Sequence, residues 1–178
     1  MKKTVFVFGS ISGVLIGAWT VASIAYFYSV NNYEGSMLVG YAAMLLAFSL
    51  VYVGVKSYRD TENGGMISFG KAFQVGLLIS LVASTIYVIT WMIDYYVFVP
   101  DFMDKFIRNV MEELRTSGAS PMEINSKTAE MNSMRELYKN PLMVVLFTYL
   151  EILPVGLFVS ILSALLLKKK GQPEHLVV

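Results

Sequence analysis

Apolar residues run along this chain in four long blocks, at about 5–28, 37–55, 73–99 and 142–167, with the polar residues collected between them. A helix rising ~1.5 Å per residue crosses the hydrocarbon core in about 20 mostly apolar residues, and each block meets that or comes within a residue or so. The pattern predicts four transmembrane helices. The first block follows Lys2 and Lys3, as a secretion signal would. Its apolar stretch outruns the roughly 7–15 residues of a signal core and no A-x-A site closes it, so an uncleaved membrane helix is expected.

Between the third and fourth blocks the pattern changes. From Asp101, apolar residues recur as Phe102, Met103, Phe106, Ile107, Val110, Met111 and Leu114, the period of an amphipathic helix, and Gly118 ends it. Ser120, Pro121 and Glu123 form an N-cap, a first-turn proline and a capping box. A second helix then runs to about Tyr138, with Met131, Met134 and Leu137 on one side, before Asn140-Pro141 restarts the chain. The segment 101–139 is therefore expected to be a helical hairpin. It would lie apolar side down in the membrane interface or serve as a lid that binds a partner.

Composition agrees with the membrane reading. Of 178 residues 56% are hydrophobic and only 15% charged, with a mean hydropathy of +0.59, whereas a soluble domain carries about a quarter charged residues. The absence of cysteine excludes disulfides, thiol catalysis and thiolate metal sites. A net charge of +1 recruits no nucleic acid. The single histidine, His175, stands alone in the tail, and a metal site needs converging ligands. No cofactor, metal or catalytic residue is expected.

Charge also orients the chain. One side of the bilayer would receive Lys2, Lys3, Lys56, Arg59, Lys71 and Lys168 to Lys170 against Asp60, Glu62 and Glu174. The other side would receive Glu34 and the 100–140 segment, whose six basic and seven acidic residues carry no positive excess. Basic residues near the membrane mark the cytoplasmic side, so both termini are expected inside and the hairpin outside. Tyr26, Tyr28, Tyr95 and Tyr96 then fall at the outer ends, as an interfacial belt. On the inner side Gly64-Gly65 marks a turn, followed by a short amphipathic lead into the third helix, with basic residues suited to anionic headgroups. Residues 1–170 make one all-α, four-helix membrane domain, and 171–178 a disordered cytoplasmic tail.

Two stretches, "GGMISFGKAFQVGL" at 64–77 and "LPVGLFVSILSALLLKKK" at 153–170, resemble a bacterial four-helix membrane family catalogued as domain of unknown function 4199. The resemblance covers nearly the whole chain, from the first helix to the lysine run. It implies a bacterial inner-membrane protein in contact with the lipid bilayer, and supplies no reaction, ligand or catalytic residue.

Small residues trace three ridges. Gly9, Gly13 and Gly17 stand four apart in the first helix; Ala72, Gly76, Ser80 and Ser84 in the third; Gly156, Ser160 and Ala164 in the fourth. Spacing of four puts each set on one helix face, where another backbone can approach closely. "VGLLISLVAS" at 75–84 also matches "VGLFVSILSA" at 155–164. Convergence on a small-residue seam explains this match better than an ancient repeat.

The intramembrane acids Asp94 and Glu151 are the other candidates. Each costs about 3 kcal/mol to insert at mid-bilayer, less near an interface. No basic residue lies in any of the four blocks, so a neutral, hydrogen-bonding form is expected of the deeper one, Glu151. Asp94 shares a face with Thr90, Tyr87, Ala83, Ser80 and Gly76, and so should point into the bundle. Glu151 in straight geometry points away from its own ridge, although Pro154 frees the Leu150 carbonyl and can kink the helix between them. If Ser80 meets Ser160, Asp94 stands 14 residues from the crossing and Glu151 nine. That five-residue difference is ~7–8 Å along the axis, which argues against an aspartyl-type dyad. The leading expectation is a non-enzymatic protein that binds a partner or organises the membrane. The alternative is a proton-coupled transport component using Glu151 or Asp94, which with four helices would require a homo-oligomer.

Overall fold

The computed structural model describes residues 1–30 and 37–169. The expected tail at 171–178, with His175, lies outside the described residues. Among the described residues six α-helices follow one another: α1 (Lys2–Val30), α2 (Met37–Ser57), α3 (Phe69–Ile93), α4 (Phe102–Thr116), α5 (Pro121–Tyr138) and α6 (Pro141–Leu167). Two π-helical turns extend the spans, Tyr58–Glu62 after α2 and Asp94–Phe98 after α3. The fold is all-α, and α1, α2, α3 and α6 are each long and apolar enough to cross a membrane.

Local chemistry sets the helix ends. Ser68 caps α3 by accepting from the Lys71 N–H. Ser120 and Glu123 form a reciprocal capping box at the start of α5, and Asn140 accepts from Leu142 N–H ahead of α6. Gly118, at φ 78°, supplies the left-handed turn between α4 and α5, a conformation that favours glycine. Helix α6 is continuous through Pro154.

The small-residue ridges pack. Along α1, a Cβ built on Gly9, Gly13 or Gly17 would fall about van der Waals overlap distance from Val82, Ile86 and Thr90 of α3 in turn, so α1 and α3 run parallel and in close contact. On its other side α3 meets α6 antiparallel, Gly76 against Ser160 and Ser80 against Gly156. Ser80 Oγ lies 3.0 Å from Ser160 Oγ and 3.1 Å from the Gly156 carbonyl, and Ser160 donates to that same carbonyl at 2.7 Å. Ser80, Ser84, Ser160 and Ala164 are fully buried. The two matching segments thus cross each other almost symmetrically, each placing its glycine on the other's serine. Ser84 Oγ is the exception, buried with no hydrogen-bond partner among the described residues.

Helix α2 closes the bundle. Ser12 of α1 donates to the Ala47 carbonyl at 2.7 Å, and Gly54 admits Ile79 and Phe8. Helices α2 and α3 touch across the short diagonal while α1 and α6 occupy opposite corners. At the end of the bundle that carries the α2–α3 connection, the expected amphipathic lead into α3 is instead an extended bridge. Ile67 and Lys169 exchange backbone hydrogen bonds of 3.1 and 2.9 Å, which buries Ile67 and fastens the loop to the end of α6. Arg59 reaches the Leu167 carbonyl at 3.4 Å, and Thr4 donates to Glu62.

At the opposite end α4 and α5 form a hairpin with its own core. Met103, Ile107 and Met111 of α4 are buried against Trp91, Tyr95 and Val99, and Met131 alone is buried on α5. Trp91 meets Phe102 edge-on at 5.2 Å. Two expectations change here. Tyr95 is buried beneath the hairpin rather than exposed in a belt, because its ring lies edge-on to Tyr138 of α5. Leu137 is exposed: it lies about 120° around the helix from Met131, whereas Ile124 and Tyr138, seven residues either side, return to the same face.

Candidate functional site

Close packing along the α3–α6 seam gives way to open space toward the hairpin end. A cavity of about 590 Å³ lies between α1 and α2, with Tyr87 of α3 and Glu151 of α6 also on its wall. Trp19, Tyr26 and Phe27 give it an aromatic lining, and Thr20 and Ser23 add hydroxyls. Thr20 donates its proton to the Ile16 carbonyl at 3.0 Å, so its oxygen faces neighbours as an acceptor. Tyr87 is buried, with Thr20 beside it on the cavity wall.

Glu151 itself is exposed to this space. The expected hydrogen bond to a neighbouring helix is not formed: among the described residues its carboxyl meets no donor, although Thr20, Ser23 and Tyr87 share its cavity. The physical reason is the gap between α1 and α6, which leaves the carboxyl facing a void instead of a facing helix.

Asp94 is placed as its helical phase required, 5% exposed and turned into the bundle. It opens the π-helical turn, and its carbonyl accepts from Val99 N–H five residues on, at 2.9 Å. One carboxyl oxygen, Oδ2, is fully buried without a partner among the described residues. Asp94 and Thr90 line a separate cavity of about 410 Å³ between α1 and the end of α3. The two acids therefore serve different spaces. Ile24 lines both, standing between them.

The hairpin carries most of the paired charge. Arg135 of α5 bridges to Asp104 of α4 at 2.9 Å, and Tyr28 of α1 donates to Asp101 at 2.7 Å. Lys105 sits 3.9 Å over the Tyr28 ring and 2.9 Å from Asp101. The Lys105 ammonium first, and then the Tyr28 hydroxyl, hold the Asp101 carboxyl below its ordinary value. The Ser120 backbone N–H and then its hydroxyl do the same for Glu123. Burial pushes the Tyr138 phenol up. Among the described residues no group of histidine, cysteine, aspartate or glutamate side chains converges to hold a metal ion.

Sequence reasoning found both acids but neither cavity. Trp19, Phe27 and Gly40 gave no signal, because an apolar residue in a span looks the same whether it meets lipid, a neighbouring helix or a void.

Four apolar spans, with a folded helical hairpin between the third and fourth, define a multi-pass membrane protein whose outward apolar side chains contact the lipid bilayer. The model of a family described as protein of unknown function (DUF4199) matches residues 7–169, and the chain belongs to that family. No curated protein and no solved structure matches it significantly.

Proposed function

We propose that this protein is a non-enzymatic component of the bacterial inner membrane that presents its α4–α5 hairpin to a protein partner. Both termini are cytoplasmic and the hairpin is extracytoplasmic, a reading supported by the basic residues gathered at the α2–α3 end of the bundle. The observation that carries the binding role is the unequal use of the two hairpin helices. Helix α4 buries one residue per turn against the bundle, whereas α5 buries only Met131 and leaves Met122 84% exposed. The bundle thus anchors α4, while α5 leaves most of its surface open to a partner. The separate cavities of Asp94 and Glu151 support a non-catalytic reading, since paired-carboxyl chemistry needs near contact.

Photo-crosslinkers at Met122 and at lipid-facing Leu46 in native membranes test this. A discrete protein adduct at Met122 and none at Leu46 is expected; equal labelling at both sinks the reading. Orientation is tested separately with Ser117→Cys and Ser57→Cys, of which only the former should react with an impermeant thiol reagent in cells with a permeabilised outer membrane.

The transport reading has one observation in its favour: both acids line cavities. Against it, the α2–α3 half of the bundle is filled by Phe48, Val51, Val75 and Ile79, each no more than 1% exposed. Proton uptake by proteoliposomes, lost in Glu151→Gln or Asp94→Asn, would reverse this preference.

A further inference from the structure

The cavity beside Glu151 has the features of a small-molecule site. Its volume of about 590 Å³ falls within the roughly 300–1,000 Å³ typical of ligand pockets. The lining is mostly apolar, with aromatic rings from Trp19, Tyr26, Phe27 and Tyr87 and a single carboxyl group, Glu151. Such sites combine an apolar body with a few polar groups that orient the ligand.

Charge decides which ligand fits. No lysine or arginine occurs between residues 4 and 55, 72 and 104, or 140 and 167, so the chain places no cation opposite Glu151 within the spans. An unpaired acid at membrane depth keeps its proton, and a ligand carrying positive charge would let Glu151 release that proton and stand as the ligand's counter-ion. Aromatic faces attract the same charge through their quadrupoles, and the Thr20 oxygen adds an acceptor. Glu151 is also reachable, since its side chain is exposed to the cavity, unlike the sealed Oδ2 of Asp94. Room remains at Gly40 on the α2 wall, where an added Cβ meets nothing within 4 Å.

We propose that this cavity binds an amphipathic organic cation, its charge against the Glu151 carboxylate and its apolar body among the aromatic rings. The site is independent of the hairpin's partner and stands or falls without it.

The test is equilibrium dialysis of the full chain in lipid nanodiscs against tetraphenylphosphonium, corrected with empty nanodiscs. Saturable binding to wild type is expected, weakened about tenfold or more in Glu151→Gln because the charge pair is lost. Gly40→Phe, whose Cβ meets no neighbour, should weaken it similarly by filling the cavity, and serves if Glu151→Gln does not fold. Asp94→Asn, altering the other cavity, should bind within about twofold of wild type. Tetraphenylborate, of the same shape and opposite charge, should show no saturable binding. The proposal is overturned by no saturable phosphonium binding to wild type, by undiminished binding to Glu151→Gln, or by binding of the borate as tight as the phosphonium. Equal loss in Asp94→Asn would overturn it too, by moving the site to the other acid.

Discussion

Two glycines in the membrane spans show how differently the bundle is built along its length. At Gly156 of α6 an added Cβ would lie 2.9 Å from Ser80 Cβ and 3.1 Å from the Phe48 ring, whereas at Gly40 of α2 it would meet nothing within 4 Å. The first glycine exists so that two backbones can approach; the second borders a cavity. Apolar side chains gain little from leaving lipid for protein, so close packing and hydrogen bonds such as Ser80 to Ser160 hold the seam together. Where the helices part, nothing comparable replaces those contacts, and the space stays open to another molecule.

The strongest way to break this contrast is to enlarge both glycines. Gly156→Leu should cost about 1–3 kcal/mol or more through overpacking, because its neighbours are a serine Cβ and a buried ring with no room to yield. Gly40→Leu should leave the melting temperature in detergent near wild type, and similar losses in both would erase the distinction. Gly13→Val belongs with the severe class, since its Cβ would meet the Ala83 carbonyl at 2.9 Å.

A second comparison sets the two acids against each other. Asp94→Leu removes a buried carboxyl oxygen that has no partner among the described residues and should stabilise the fold by about 1 kcal/mol. Glu151→Leu gives up no hydrogen bond among the described residues and should change stability by no more than about 0.5 kcal/mol. Chemical denaturation in mixed micelles separates the two. A large loss in Glu151→Leu would mean that the carboxyl has a structural partner after all.

Smaller effects are expected where the hairpin meets the bundle. Tyr28→Phe loses the 2.7 Å bond to Asp101 at an exposed position, which is worth about 0.5 kcal/mol. Faster hydrogen exchange should appear in α4 and α5 and not in the α3–α6 seam.

The least effect comes from acid. Asp101 and Glu123 have folded values below their ordinary ones, so their stabilisation is complete above about 3.8 and 4.5 respectively. It is lost as pH falls through the lowered values. Both groups lie at the surface, where solvent screens them, so the loss is slight and confined to the hairpin. Exchange rates at about pH 6 and about pH 3 would show it as earlier opening of the hairpin than of the seam.

Much of this architecture is written locally along the chain. Four spans follow from runs of apolar residues, since a backbone in hydrocarbon must satisfy its own hydrogen bonds and a helix does so within each segment. The hairpin followed from a 3.6-residue period, Gly118, and the Ser120 capping box, all of which act over a few residues. Spacing of four identified the faces bearing Gly9, Gly76 and Gly156, and phase alone turned Asp94 inward. The choice of partners did not lie in any one segment. That the α1 glycines meet α3, that Ile67 pairs with Lys169, and that the hairpin covers Tyr95 each depend on residues brought together from distant parts of the chain. The same holds for Glu151. Its sequence context explained its cost in the membrane, but only the separation of α1 and α6 put a cavity before it, because empty space is a property of how helices fail to meet.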